Sequence, residues 1–513
     1  MDSSGTSLNS SGTSSSHVSP PPYGGRGGGY RGAPSELQPL LEGLGGAQDN
    51  GASRPARARK MSDAIWIERI DERVAQTPGG SGAKQGRASG WSARNNLTKA
   101  FLGAASFELP WALQQSGLGA GVLSLVLFAL ACAYTLKLLG RTRTLVMRST
   151  EWISRATPTN NVITYVEIGR AAYGAAGARL VNFGVVGMSL GVCAAYLVFV
   201  GTTLHSVFVN VGVYPAMSIG GSCASATSMA PGCIALPLLV TLPVFGAIAL
   251  LEDYSKLAWT SLAGIVLVVV AMASVLIYGA ATQPVPLAAI AAAPFIRWRT
   301  YPLFFGNAAF TFCIHTVAIP VHASLADPER DYEAAVDRST TFVAVINIAF
   351  AAACSVLFQS AGVQANVLQN LPQGEHLSVL VKVLLCVVMI LTYALFLQPV
   401  AELIEHVFFK ATFEVATEKA ALRHRRAIRV AVILVTTLLA LAVPDFGLAC
   451  NLVGSLANTL VGLIMPPLFY RKLMGDRLTN RERTVCATIV VFGTVLMVVG
   501  TTVTVIAIAD LYR

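Results

Sequence analysis

Long apolar runs are the feature that most constrains how this chain can fold. Beyond about residue 94 they follow one another, separated by short polar stretches. A helix needs about 20 mostly apolar residues to cross the hydrocarbon core of a bilayer. We therefore predict about eleven membrane-spanning helices, near residues 96–115, 119–139, 180–206, 234–251, 257–279, 302–322, 339–360, 377–404, 428–443, 447–470 and 485–508.

The composition indicates an all-α polytopic membrane protein embedded in a lipid bilayer. Of the 513 residues, 54% are hydrophobic and 12% are charged, whereas soluble domains carry about 25% charged residues. The formal net charge of +10 would by itself suit a nucleic-acid-binding protein. We reject that class because the basic residues lie in short loops between apolar runs, as the positive-inside rule describes.

The distribution of Lys and Arg predicts the orientation of the chain. Basic residues concentrate in every second loop, and the alternating loops hold almost none apart from Arg297 and Arg299. Cytoplasmic loops carry the excess of basic residues. The N-terminus is therefore predicted to be cytoplasmic, and an eleven-span chain then places its C-terminus on the luminal or extracellular side.

The chain before the first apolar run divides into two predicted parts. Residues 1–60 are rich in Ser, Gly and Pro and lack apolar periodicity, which predicts a disordered cytoplasmic tail. Residues 61–93 combine a short amphipathic segment, suited to the cytoplasmic membrane face, with a glycine-rich linker. The predicted transmembrane domain occupies residues 94–510.

One short motif in the tail resembles a sorting signal. Glu36 is followed, after three residues, by Leu40 and Leu41, as in the acidic dileucine signals that sorting adaptors bind. Such a signal predicts delivery to a vacuolar or lysosomal membrane. The alternative is a chance match in a tail without a sorting role, with the protein at the plasma membrane.

The first apolar run is interrupted at its centre by Gly103–Pro110, which reads Gly-Ala-Ala-Ser-Phe-Glu-Leu-Pro. Proline removes a backbone donor, and a carboxylate such as Glu108 is costly at membrane depth. Freed backbone groups there must be satisfied by protein or by a water-filled cavity. We therefore predict a broken helix that lines a binding site; a kinked structural helix is the alternative.

The sixth apolar run carries a matching interruption. His315 lies near its centre, and Pro320 follows five residues later. An ionisable residue inside a span suggests a functional site, although a histidine hydrogen-bonded between helices would give the same pattern. Corresponding interruptions in two inverted five-helix halves are typical of secondary transporters.

Several motifs, in order, resemble the amino acid/auxin permease family. Pro110–Leu113 is similar to the first span of its plant permeases, and Tyr165 with Gly169 is similar to the start of its third span. Phe310–Pro320 resembles the sixth span of its sodium-coupled neutral amino acid transporters. The resemblance covers about residues 94–505. It implies a five-plus-five inverted-repeat fold of the LeuT/APC type and secondary active transport of small neutral amino acids, without a cofactor or enzymatic activity.

The resemblance and the two interruptions together define a candidate substrate site. Free N–H groups at the helix ends of the first span would bind the substrate carboxylate, and unwound carbonyl groups of the sixth span would bind its ammonium group. The predicted substrate-binding residues are Gly103, Ala104, Ala105, Ser106, Phe107, Phe312, Cys313 and Ile314.

Coupling is predicted to use a co-transported proton, and sodium is the alternative. Sodium-coupled relatives have a sodium-associated asparagine where this chain has Lys99, and proton-coupled members have lysine there. A fixed ammonium group would take the place of a cation, unless Lys99 instead reaches the cytoplasmic interface. Glu108 and His315 complete the predicted coupling set because both are ionisable groups beside an interruption.

Two further predictions concern the non-cytoplasmic side and the class of function. Cys223 and Cys233 share one predicted non-cytoplasmic loop, where oxidising conditions permit a disulfide; two free thiols are the alternative. No ATP-binding Gly-x-x-x-x-Gly-Lys-Ser/Thr motif is present, so transport would draw on a gradient. A receptor-like membrane protein that senses amino acids is the alternative from another class, motivated by the N-terminal tail.

Overall fold

Helices account for nearly all of the chain that the structure, a computed structural model, describes. The described residues are 88–149, 163–212, 231–250, 258–283, 293–372, 374–408 and 418–512. The helices are α1 (Gly90–Phe101), α2 (Leu109–Ser116), α3 (Leu118–Met147), α4 (Tyr165–Asn210), α5 (Pro231–Ala249), α6 (Ala258–Thr282), α7 (Pro302–Phe312), α8 (His315–Ser324), α9 (Pro328–Leu357), α10 (His376–Phe408), α11 (Glu418–Ala442), α12 (Phe446–Val453), α13 (Met465–Met474) and α14 (Asn480–Asp510).

Eight helical stretches within these residues are long and apolar enough to cross a membrane, counting α7 with α8 and α12 with α13 as single stretches. They correspond to eight of the predicted spans. The other three predicted spans are helical as well: the first is divided between α1 and α2, the fourth is α5 and the ninth is α11. The all-α membrane architecture is therefore confirmed, whereas the count of eleven and the inverted repeat stay predictions.

Large apolar side chains cover the outside of these helices. Phe183 on α4 is 71% exposed, Ile277 on α6 is 70% exposed and Leu239 on α5 is 69% exposed. Soluble proteins rarely leave contiguous apolar surface of this extent in water. A bilayer that covers these side chains removes that cost, so the exposure pattern agrees with a multi-pass membrane protein.

Helices α4, α9 and α11 begin ten or more residues before their predicted starts, and capping side chains are seen for the first two. α4 begins at Tyr165, where the Thr164 hydroxyl accepts a hydrogen bond from the amide of Glu167, and it is kinked at Tyr173 and Gly174. α9 begins at Pro328, where the Asp327 carboxylate accepts from the amide of Arg330. Apolar runs mark only the stretch in lipid, whereas capping side chains determine where a helix begins.

The polar extension of α9 forms a ladder of ion pairs with the end of α3. The distances are 2.9 Å for Lys137–Asp337, 2.7 Å for Arg141–Glu333 and 2.7 Å for Arg148–Glu329. All three pairs are at least partly exposed, and they occupy the side of the membrane that the basic residues predict to be cytoplasmic. The ladder therefore joins α3 to α9 at that side.

α12 and α13 belong to one continuous stretch that contains two π-helical turns, Gly454–Asn458 and Leu460–Ile464. Gly454 lies directly against the backbone carbonyl of Gly306 on α7, which leaves no room there for a side chain. π-helical turns are rare and often occur at functional sites. Here the first π-helical turn packs closely against α7 at Gly306.

Candidate functional site

The first helix break lies between α1 and α2. Leu102 ends α1 in an extended conformation, Ala104–Phe107 forms a single 3-10 turn, and Glu108 precedes α2. Pro110 falls in the first turn of α2, where a missing N–H costs no helical hydrogen bond. The break that the sequence predicts is therefore present, and the proline begins the second half-helix.

Aromatic packing holds this turn in place. The Phe107 ring lies 6.3 Å from the Phe199 ring and 6.2 Å from the Phe350 ring, measured between centroids, so it bridges α4 and α9. Ala104, like Phe107, is buried. A Cβ atom added to Gly103 would meet no heavy atom within 4 Å. The break thus combines a fixed backbone with open space at Gly103.

The second break lies between α7 and α8, at Cys313 and Ile314, neither of which is helical. The Phe312 ring, at the end of α7, lies 6.2 Å from the ring of Phe101, at the end of α1. The two breaks are therefore neighbours in space, although more than 200 residues separate them in the chain. The residues predicted to bind substrate come from these two neighbouring segments.

Backbone groups of opposite character are left unpaired at the two breaks. Within the described residues, the amides of Gly103, Ala104 and Ala105 form no hydrogen bond. The carbonyl groups of Phe310, Thr311 and Cys313 likewise accept none there. Buried backbone groups are nearly always paired. Unpaired donors on one break beside unpaired acceptors on the other form a place where a zwitterion could supply the partners.

His315 is fully buried and joins the second break to α3. Its Nε2 lies 2.9 Å from the Thr135 hydroxyl, and that hydroxyl donates to the Cys132 carbonyl at 3.1 Å. Because a hydroxyl has one proton to donate, this network assigns the imidazole proton to Nε2. His315 Nδ1 has no partner among the described residues. It is thus a free acceptor beside the break.

Glu108 is fully buried, and neither carboxylate oxygen has a hydrogen-bond partner in the described part of the chain. It lies on the side facing α12, close enough to interact electrostatically with Asp445 and Cys450. Asp445 is occupied as the N-cap of α12, accepting from the Leu448 amide at 2.8 Å. Glu108 is therefore a buried acid without a fixed partner, directly after the first break.

Lys99 lies in the last turn of α1 and is half-buried. An ammonium group there is favourably placed near the negative end of the helix dipole. No ion pair joins Lys99 to Glu108 in the structure. The three predicted coupling residues thus surround the breaks without forming one connected network.

Sequence reasoning missed the contribution of the π-helical turn Leu460–Ile464, between α12 and α13, to this site. A Cβ atom at Gly462 would lie 2.6 Å from Cys313 Sγ and 2.9 Å from His315 Nδ1. Tyr165 reaches the same region, donating from its hydroxyl to the Val461 carbonyl at 2.6 Å. The glycines of the tenth apolar run were the available signal, because small residues permit close helix packing in membranes.

Some predicted features lie outside the described residues. These are the tail with its dileucine-like motif, the amphipathic segment and linker up to residue 87, and Cys223. Cys233 is buried and disulfide-bonded. Its pairing with Cys223 stays a prediction.

The stretch of chain that contains both breaks is also the stretch that is similar to known proteins. The family model for transmembrane amino acid transporter proteins matches residues 86–506, which include both breaks. The chain belongs to this family. Its members are transporters and not enzymes, as the resemblance to amino acid/auxin permeases implied.

Relatives in Arabidopsis thaliana are described as amino acid transporters. The chain is 27% identical to amino acid transporter AVT1B over 426 residues, covering 79% of this chain and 68% of the relative. It is 27% identical to AVT1C, covering 66% and 57% respectively, and 24% identical to AVT3B, covering 79% and 90%. A crystal structure of MhsT in complex with L-phenylalanine aligns with 83% of this chain and 98% of that one, at 14% identity and a TM-score of 0.49.

Proposed function

We propose that this family member is a proton-coupled secondary active transporter of small neutral amino acids. One observation carries the proposal. Backbone donors without partners at the first break lie beside backbone acceptors without partners at the second. The amides of Gly103–Ala105 would bind the substrate carboxylate. The carbonyls of Phe310, Thr311 and Cys313 would bind its ammonium group. Every amino acid has both of these groups, so the backbone contacts would recognise amino acids as a class.

The side chains of the first break support a small neutral substrate. Gly103, Ala104, Ala105 and Ser106 are small, and the open space lies beside Gly103. The neighbouring rings of Phe101 and Phe312, at the ends of α1 and α7, limit the volume available to a substrate side chain. The two ionisable side chains beside this break, Lys99 and Glu108, are assigned to coupling, so neither remains to pair with a charged substrate side chain.

Glu108 supports protons as the coupling ion. A buried carboxylate with no partner is costly, and taking up a proton removes its charge. Lys99, placed near the end of α1, already supplies a positive charge beside the break. Sodium would instead require several oxygen ligands close to that ammonium group. A sodium-coupled mechanism is the alternative outcome of the experiment below.

The experiment is uptake of a radiolabelled amino acid panel into proteoliposomes, with and without sodium, at several pH values. We expect sodium-independent uptake of small neutral amino acids that increases as the substrate side is acidified. In Glu108→Gln or His315→Gln, the pH dependence should be lost. Glu375→Gln removes an exposed carboxylate and serves as the matched control.

Two results would contradict the proposal. Uptake that disappears without sodium and ignores pH in every variant would establish sodium coupling. Specific amino acid binding without flux under any gradient would instead favour a receptor-like protein. We further propose that the acidic gradient is that of a vacuolar or lysosomal membrane, because the Glu36, Leu40 and Leu41 motif resembles a sorting signal.

A further inference from the structure

A buried lysine lies near the start of α10, a helix that contains neither break. Lys382 has no exposed surface, and its Nζ donates to the Ser206 hydroxyl of α4 at 3.2 Å. Ser206 is also fully buried. An ammonium group has three N–H donors, and this is the one hydrogen bond that Lys382 forms within the described residues. The charge is therefore buried with two donors unused.

Within the described part of the chain, no acidic side chain is placed to neutralise this lysine. Among the described residues, no Asp or Glu forms an ion pair with it, and the nearest acid along the chain, Glu375, is exposed. The segments 213–230 and 284–292, which the basic-residue pattern places on the same side of the membrane, contain no Asp or Glu. Lys382 thus differs from the paired lysine of the α3–α9 ladder, Lys137, whose carboxylate partner lies at 2.9 Å.

The surroundings of Lys382 offer further donors. Ser378 lies one helical turn before it on the same face of α10, and its buried hydroxyl has no hydrogen-bond partner among the described residues. The Ser206 hydroxyl accepts from Lys382 and retains its own proton for donation. Both Ser378 and Lys382 lie in the first two turns of α10, where the helix dipole is positive.

Loop residues close this end of the α4–α10 contact. The Asn366 amide donates to the Thr203 hydroxyl at 2.9 Å, and Asn366 is fully buried. The Gln369 amide reaches the Thr202 carbonyl at 3.5 Å. The loop before α10 is therefore tied to the same end of α4 that carries Ser206, which keeps Lys382 out of water.

Burying an ion without compensation is costly, and the unused donors of Lys382, Ser206 and Ser378 favour negative charge. We propose that Lys382, Ser206 and Ser378 form a binding site for a small monovalent anion of the chloride class. The anion accepts hydrogen bonds from the ammonium group and from both hydroxyls. Its charge neutralises Lys382 and thereby stabilises the packing of α10 against α4.

The test is the thermal unfolding midpoint of the purified full chain in detergent, without any amino acid. Chloride replaces gluconate in steps at constant ionic strength, and bromide, nitrate and acetate form separate series. We expect the midpoint to rise by a few degrees and to saturate with chloride, bromide and nitrate, as binding to the native state requires. Because this readout needs no transport, it is independent of the proposed function.

Variants locate the effect. Lys382→Gln should abolish the chloride response, and Lys382→Arg should retain it. Ser378→Ala should lower the affinity for chloride at least severalfold. Arg299→Gln is the matched control, since it removes an exposed positive charge from the same side of the membrane and should leave the response unchanged. Binding of radioactive chloride to the same variants provides a second measurement if Lys382→Gln folds poorly.

Three outcomes would overturn the proposal. The first is an equal midpoint for wild type in chloride and gluconate together with no bound radioactive chloride. The second is an unchanged chloride response in Lys382→Gln. The third is a response to acetate but not to halides, which would assign the site to carboxylates. If Lys382 were uncharged in the native protein, the first outcome would be expected, and Lys382→Met would be more stable than the wild type.

Discussion

Glu108 and His315 lie beside the two breaks but differ in how their polar atoms are satisfied. His315 is held by Thr135 and leaves one ring nitrogen free, whereas both oxygens of Glu108 lack partners in the described chain. A side chain with a fixed hydrogen-bond partner contributes to the local structure as well as to titration, so replacing it affects both. Loss of Glu108 should consequently give the cleaner change in coupling.

At the same scale, we predict that the size of residue 104 controls substrate binding. Ala104→Phe should reduce uptake about tenfold or more, because overpacking a buried position costs about 1–3 kcal/mol. Ala273→Phe is the matched control, since it adds the same ring at an exposed position of α6, away from both breaks. Uptake and surface expression of both variants are the measurements. Equal uptake in Ala104→Phe and wild type would remove the first break from the substrate site.

Among the elements, the π-helical turns between α12 and α13 pack closely against α7 and the second break. Gly454 and Gly306 bring two backbones together, and Gly462 admits Cys313 and His315. Gly454 and Gly462 lie in the two π-helical turns, so these turns determine how α7 and α8 meet at the second break. The shape of that break therefore depends on the stretch from α12 to α13.

We predict that Gly454→Ala destabilises the protein by about 1–3 kcal/mol, because its Cβ would overlap the Gly306 carbonyl. Gly246→Ala is the control: it lies within α5, and no heavy atom would lie within 4 Å of its Cβ. Replacing a helical glycine with alanine favours the helix by up to about 1 kcal/mol. Thermal unfolding should separate the two variants in opposite directions, and a stable Gly454→Ala protein would contradict this packing.

The ion-pair ladder between α3 and α9 should contribute little to stability. Each exposed pair is worth about 0–1 kcal/mol, so Arg141→Gln should lower the unfolding midpoint only slightly. Arg141→Glu places two acids together and should lower it further, and adding Glu333→Arg should restore most of the loss. Unfolding at low and high salt measures both effects. A loss that the double variant does not restore would show that Arg141 acts through another contact.

For the whole molecule, the membrane in which the protein resides decides which gradient it can use. A proton-coupled transporter in an acidic compartment would have protons available on the luminal side. The dileucine-like motif is the one sequence feature that argues for such a compartment. Location and coupling ion are therefore linked predictions about the complete protein in its cell.

Changing Leu40 and Leu41 to Ala should move the protein from an internal compartment to the cell surface, because the adaptor contact is lost. Fluorescence of a tagged full-length chain measures the redistribution, and Leu37→Ala, outside the leucine pair, is the matched control. Unchanged location of the double variant would identify the motif as a chance match. Uptake at the cell surface could then be measured directly.

The sequence by itself determined the all-α membrane architecture and the positions of both breaks. The length of the apolar runs matches the bilayer thickness, and the ionisable residues Glu108 and His315 mark the two breaks. Pro110 begins the half-helix after the first break, whereas Pro320 lies inside α8 and does not interrupt it. These signals are local, so they can be read along the chain. Helix starts at Tyr165 and Pro328 were missed because capping, not hydropathy, determines them.

Only the tertiary structure decided which groups meet. It placed Phe101 beside Phe312, Thr135 beside His315, and Gly462 beside both Cys313 and His315. It also showed that Lys382, one lysine within a long apolar run, is buried against Ser206 with no acidic partner among the described residues. Contacts between residues so far apart in sequence depend on helix packing, and packing depends on the shapes of all neighbouring side chains at once.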